Sequence, residues 1–134
     1  VTTPAEASPR VALVTGAASG IGRATAIRLS QSGPVAVTDL TDDAGRSVVN
    51  EIVAAGGTAI FVHHDVTNEQ SWIDCVAEVI TQFGAIHTLV NNAGIGDWDP
   101  IEETELDVYM NTISVTQVGT FLGLKHCGPH LRAT

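Results

Sequence analysis

Cations are scarce in this chain: six Lys and Arg stand against 15 Asp and Glu in 134 residues, a formal net charge of −9. The six are Arg10, Arg23, Arg28, Arg46, Lys125 and Arg132. So dispersed, they form no basic stripe to neutralise nucleic-acid phosphates, which argues against nucleic acid as a partner. Cysteine is equally sparse. Cys75 and Cys127 fall inside helix-like patterns and not at ligand spacing, so a disulfide framework and a zinc site are both disfavoured. Two reduced, buried thiols and a cytoplasmic setting are the expectation, with no metal. No run approaches the roughly 18 apolar residues of a membrane span, and Val1 to Pro9 lacks the apolar core of a signal peptide. Residues 1–9 read as a flexible lead-in that does not begin with methionine, and residues 10–134 as one domain. There is no low-complexity tract and no repeat beyond an alternation of strands and helices.

That alternation is the main thing present, in a chain that is 44% hydrophobic and long enough to bury a core. Arg10 to Thr15 reads as a buried strand, and Gly20 to Ser32 as a helix ended by Ser32-Gly33-Pro34. Val35 to Asp39 is the second strand. Thr41 is placed to cap the next helix, with Asp42 and Asp43 in its positive first turn and Val48, Val49, Ile52 and Val53 on one apolar face. Thr58 to His64 is the third strand. Thr67-Asn68-Glu69-Gln70 is a capping-box pattern opening a helix whose Trp72, Ile73, Val76, Val79, Ile80 and Phe83 recur at helical spacing, with Gly84 closing it. Ile86 to Val90 supplies a fourth strand, and a last helix begins near Thr104 and runs towards His130. Strands that alternate with helices dictate a parallel sheet with right-handed crossovers. The fold class is therefore α/β, a Rossmann-type sheet of strand order 3-2-1-4 with helices on both faces.

The turn between the first strand and the first helix reads Thr15-Gly16-Ala17-Ala18-Ser19-Gly20-Ile21-Gly22. Gly16 suits the tight turn, Gly20 lets backbone approach a pyrophosphate, Gly22 permits close helix–strand packing, and free N–H groups at the helix start face the phosphate charge. A glycine turn by itself also serves ordinary strand-to-helix connections. Asp39 lies 17 residues beyond Gly22 at a strand end, where a carboxylate can accept bonds from ribose hydroxyls and repel a 2′-phosphate. NAD is thus expected over NADP, although an Asp at a loop start can simply be solvated.

Taken together, the T-G-x-x-x-G-I-G run from Thr15 to Gly22, Asp39, Asp65-Val66-Thr67 and Asn91-Asn92-Ala93-Gly94 resemble the short-chain dehydrogenase/reductase family in order and spacing. The resemblance covers the chain from about Arg10 onward. It implies that Asp65 contacts the adenine with Val66 against its ring, that Ala93 and Gly94 line the cofactor, that Ile21 lies near the nicotinamide, and that Asn91 stabilises the sheet end. Ser19, Leu40 and Asn92 complete the expected cofactor-binding set. Neither Ser19 nor Leu40 is basic, whereas NADP-preferring relatives commonly carry a basic residue there. The implied reaction is hydride transfer between nicotinamide and a small-molecule alcohol or ketone, in a complete protein that is a homo-oligomer.

The family's catalytic set is a Ser, a Tyr-x-x-x-Lys pair and an Asn on the helix after the fourth strand. Here Tyr109 is the only tyrosine and Lys125 the only lysine, too far apart for that motif. Alignment through Gly119 puts Thr116 where the family has Asn, and no catalytic residue is assigned. A truncated or degenerate relative that holds a nucleotide or a partner subunit without chemistry is the rival reading. An S-adenosylmethionine-binding domain shares the glycine turn and acidic strand end but not Asn91 to Gly94. His63 and His64 alternate along a strand and read as structural residues. Trp98 borders a substrate pocket or packs a loop, and Glu102, Glu103, Glu105 and Asp107 read as a solvated helix start.

Overall fold

The computed structural model describes residues 8–134; of the expected lead-in, residues 1–7 lie outside the described residues. Four short strands, β1 (Ala12–Thr15), β2 (Val35–Asp39), β3 (Ala59–His63) and β4 (Thr88–Val90), form one parallel sheet in the order β3-β2-β1-β4. β1 is central, with Leu13 opposite Ala36 on one side and Leu89 on the other. Its near-continuous apolar sequence follows from that position, since both of its faces are covered. Odd-numbered Val11 and Leu13 face a core with Trp72, Cys75, Val79, Ile86, Leu122 and Cys127, whereas Ala12 and Val14 face a second core with Ala26, Val35, Val37, Val48 and Ile52.

Helices α1 (Gly20–Leu29) and α2 (Asp42–Ala54) cover the second of those faces. The first is covered by α3 (Glu69–Phe83) and α5 (Gly119–Ala133), with α4 (Leu106–Ile113) joined to α5 through a π-helical turn at Ser114–Val118. No helix among the described residues is long and apolar enough to cross a membrane. Cys75 and Cys127 are free and buried, and desolvation pushes both thiols up to about 12.

The boundaries depart from the sequence reading for local reasons. α1 stops at Leu29, three residues before Ser32, because the Ser30 hydroxyl turns back onto the Ile27 carbonyl and Ser32 N–H closes a turn on Leu29. β1 and β4 start late: Val11 N–H goes to His87 Nδ1, and the Val11 carbonyl accepts from both His87 and Thr88, so the ladder is irregular there. β3 is likewise a residue shorter at each end than Thr58 to His64. The cap of α3 is Asn68, whose side chain accepts from Ser71 N–H at 2.9 Å, and not Thr67, whose hydroxyl goes to Asp65. Thr41 occupies the cap position of α2 but makes no side-chain cap bond. Val53 and Ile73, expected on apolar faces, are exposed. The last helix begins at Leu106, because Thr104 closes a turn on Pro100, and it passes through Pro129 to Ala133.

Candidate functional site

Outside the carboxyl ends of the strands, where β1 and β4 send their connections to opposite faces, the sheet opens into a cleft of about 520 Å³. Its floor is a junction between the first turn and the segment after β4. The Asn92 side-chain amide donates to the carbonyls of Thr15 (2.9 Å) and Gly16 (3.2 Å), while Thr15 Oγ1 accepts from the N–H groups of Asn92 (3.1 Å) and Ala93 (3.0 Å). Asn92, and not Asn91, therefore ties the sheet ends together; Asn91 turns towards Gly123 of α5.

Gly16 has φ +62°, and a Cβ there would lie 2.9 Å from Ala93 Cα, so the junction admits no side chain at that position. Gly22 stands behind the wall and not in it: a Cβ would strike the Gly16 carbonyl and the Asn92 amide. Gly20 faces open space, with Ser19 and the 79% exposed Ile21 beside it at the start of α1. The first turn of α1 has no acidic residue, so its unpaired N–H groups offer their positive end to the cleft unopposed. These features fit a pyrophosphate.

At the end of β2, Asp39 is held by two backbone donors: Ala18 N–H to Oδ2 and Thr41 N–H to Oδ1, both at 3.0 Å. Each oxygen keeps lone-pair capacity for a ligand. Leu40 follows it on the rim. At the end of β3, Asp65 Oδ1 accepts from the Thr67 hydroxyl (2.7 Å) and Thr67 N–H (2.9 Å), and the hydroxyl bond is the main reason its carboxyl lies below the usual range. Val66 is fixed by Trp72 Nε1 bonding its carbonyl at 3.0 Å, and its side chain fits against Gly119. Ala93 and Gly94 line the opposite end. Eleven of the twelve residues expected for a cofactor thus border one cleft, the exception being Gly22.

Three further residues line it: His64, Ile95 and Val115. His64 is 2% exposed, with Nδ1 3.0 Å from Thr38 Oγ1 and its ring edge-on to Trp72 at 4.2 Å. Thr38 Oγ1 also donates to the Val14 carbonyl at 3.2 Å, which uses its only proton and leaves His64 Nδ1 as the donor to Thr38. Desolvation pushes this imidazole down to about 4, and its buried Nε2 has no partner among the described residues. Strand alternation carried the signal: His63 points outward to Asp42 at 2.6 Å, so His64 must point inward. Thr116 lies in the π-helical turn, donates its hydroxyl to the Thr112 carbonyl at 2.6 Å and turns its methyl towards Gly94. Lys125 is paired with Glu69 on α3, and Tyr109 is on α4.

A family model described as short chain dehydrogenase matches residues 10–134. The chain belongs to the short-chain dehydrogenase family. Membership implies a nicotinamide dinucleotide cofactor, NAD or NADP. The chain is 41% identical over 123 residues to a 2,5-dichloro-2,5-cyclohexadiene-1,4-diol dehydrogenase of Sphingobium indicum, covering 91% of this chain and 49% of that one. It is 38% identical over 131 residues to a trans-4-hydroxycyclohexanecarboxylate dehydrogenase of Sinomonas cyclohexanicum, covering 92% and 51%. A crystal structure of a 3-ketoacyl-ACP reductase from Sinorhizobium meliloti 1021 superposes with a TM-score of 0.88 at 41% identity, covering 92% of this chain and 49% of that one. The short-chain dehydrogenase chain described here therefore spans about half the length of the relatives it matches.

Proposed function

We propose that this chain is the cofactor-binding part of an NAD-dependent short-chain dehydrogenase acting on a small-molecule alcohol or ketone. The observation that carries the cofactor preference is the Asp39 carboxylate, clamped at the end of β2 by Ala18 and Thr41 N–H with both oxygens still able to accept. Ribose hydroxyls would donate to it, and a 2′-phosphate would meet like charge in a partly desolvated site. The turn from Gly16 to Gly20, with the start of α1, would hold the pyrophosphate. Asp65 and Val66 would bind the adenine, and Asn92, Ala93, Gly94 and Ile21 would border the nicotinamide half. A bound nicotinamide supplies the hydride acceptor for the alcohol carbon. The complete protein would be a homo-oligomer, and the two free, buried thiols support a cytosolic setting.

Calorimetric titration of the chain with NAD and NADP tests this reading. NAD should bind at least tenfold more tightly, and Asp39→Ala should narrow the gap; equal affinities in the unmodified chain would remove Asp39 from its role. A second reading, nucleotide binding without turnover, is favoured by Thr116, whose hydroxyl proton is already committed to the Thr112 carbonyl. It lacks the amide with which an Asn would both donate and accept. No NADH should form when the purified chain is given NAD and secondary alcohols, because no Tyr-x-x-x-Lys pair is present to perform the acid–base step. Steady turnover, after contaminating enzymes are excluded, would show that this set of residues suffices.

A further inference from the structure

We infer that His64 is a positioning residue for the adenosine end of the cleft: it fixes the Asp39 and Asp65 carboxylates relative to one another, and so decides which purine base the pair accepts. This rests on reading the cleft as a dinucleotide site. His64 lines that cleft although only 2% exposed, and it directly precedes Asp65 at the end of β3. Its backbone N–H donates to the Asp39 carbonyl at 2.9 Å, one bond beyond Asp39 and His63, the last paired residues of the ladder between β2 and β3. Its side chain reaches the residue before Asp39, with Nδ1–H donating to Thr38 Oγ1 at 3.0 Å. The residue that leads into Asp65 therefore grips the strand end bearing Asp39 at two points.

Thr38 is itself a junction. It is fully buried; its hydroxyl donates to the Val14 carbonyl of β1, and its own carbonyl accepts from Ala17 N–H in the glycine turn at 3.0 Å. Ala18, next in that turn, supplies the donor to Asp39 Oδ2. The His64 ring also stands edge-on to Trp72 with centroids 4.2 Å apart, and Trp72 Nε1 holds the Val66 carbonyl at 3.0 Å. Trp72 is backed by α5, where a Cβ on Gly123 would lie 2.8 Å from its ring. One imidazole thus bridges β2 to the wall that carries Val66. Burial keeps it neutral at ordinary pH, so it makes no ion pair with Asp65, whose Oδ1 is taken by Thr67 and whose Oδ2 accepts nothing among the described residues. The arrangement has a cost. Nε2 is a buried acceptor with no partner among the described residues, a penalty that an apolar ring of the same size would not carry. What such a ring lacks is the donor at Nδ1. Two carboxylates at a set separation match one adenosine, with ribose hydroxyls at Asp39 and the exocyclic amine at Asp65; a base with an oxo group there would set acceptor against acceptor.

Calorimetry well below the unfolding midpoint of each variant compares NAD with nicotinamide hypoxanthine dinucleotide, which has an oxo group in place of the 6-amino group. The unmodified chain should prefer NAD by about tenfold, the worth of one hydrogen bond to a charged acceptor. His64→Phe keeps a ring beside Trp72 but loses the donor; it should weaken NAD about tenfold and cut the preference to about twofold or less. His64→Asn, with its amide nitrogen at the position of Nδ1, should keep most of both, whereas His64→Gln, with its amide nearer the position of Nε2, should not. Thr38→Val should reproduce His64→Phe, and the double variant should bind no worse than either alone. Thr38→Val also carries the test if His64→Phe fails to fold. A merely structural histidine would lower urea midpoints and leave the base preference as it was. No base preference in the unmodified chain, a preference kept in Thr38→Val or in folded His64→Phe, or Asn and Gln variants that bind alike would each overturn the inference alone. Failure of the unmodified chain to bind NAD would strike the cofactor reading, and this inference with it.

Discussion

At the scale of single residues, backbone-driven chemistry was readable and tertiary chemistry was not. Gly16, Gly22 and Asp39 could be picked out because a turn, a close approach and a strand-end carboxylate each leave a local mark. His64 could be read from strand alternation as inward-facing, but its partners could not: Thr38, on the neighbouring strand, and Trp72, on the following helix, meet it only in the fold. Its chemistry has a pH signature. The folded state holds His64 at about 4 against an ordinary value of 6.5, so as pH falls the unfolded chain takes up this proton first. The contribution is intact above about pH 6.5 and is lost progressively down to about pH 4, some 3 kcal/mol in all. Asp65, whose carboxyl is held below its ordinary 3.8, loses its own contribution only at more acid pH, which separates the two windows. Urea midpoints measured from pH 7 to 4 should fall, and His64→Gln, lower in stability at neutral pH, should flatten the profile; an unmodified chain with a flat profile would rule His64 out as the cause. Gly22→Ala is expected to cost several kcal/mol and to abolish nucleotide binding, because its methyl would occupy the space of the Gly16 carbonyl; thermal denaturation and calorimetry read both effects.

Elements were legible in kind and order, and less so at their ends. Every strand and helix arises where apolar periodicity and turn residues indicated, but neither Thr41 nor Thr67 caps its helix through its hydroxyl. At the start of α3 the capping-box pattern pointed to Thr67, and the structure gives the helix to Asn68 because Asp65 engages Thr67. Asn68→Ala should therefore lower stability by about 1 kcal/mol, the usual cost of losing a cap, whereas Thr41→Ala at α2 should fall within a few tenths because no cap bond exists there. Equal losses at the two positions, read from denaturant midpoints, would contradict this assignment. The π-helical turn had no precursor in the pattern, since apolar spacing barely distinguishes a single wide turn from a regular one. It falls on Val115 and Thr116, next to the cleft, where such turns are often found.

For the molecule as a whole, the parallel sheet and its strand order were legible because alternation of strands and helices permits few arrangements. What surrounds the sheet was not. β4 is an edge strand, and Leu106, Tyr109, Met110, Phe121 and Leu124 are exposed along α4 and α5. An open edge beside an apolar surface invites pairing, so the isolated chain should self-associate. Sedimentation over a concentration series checks this; a monomer at all concentrations with cooperative unfolding would refute it. The bonds between Thr15 and Asn92 have a kinetic consequence. They join positions 77 residues apart, so the glycine turn and its opposing wall meet only after the intervening strands and helices have been made and the last strand has docked on the first. Contacts of such long range are slow to form. A nascent chain that has not yet emerged as far as Asn92 carries the nucleotide fingerprint without a place to keep a nucleotide. Ligand capture then waits on the docking of β4, and free dinucleotide, binding only the closed sheet, would draw folding chains forward by mass action.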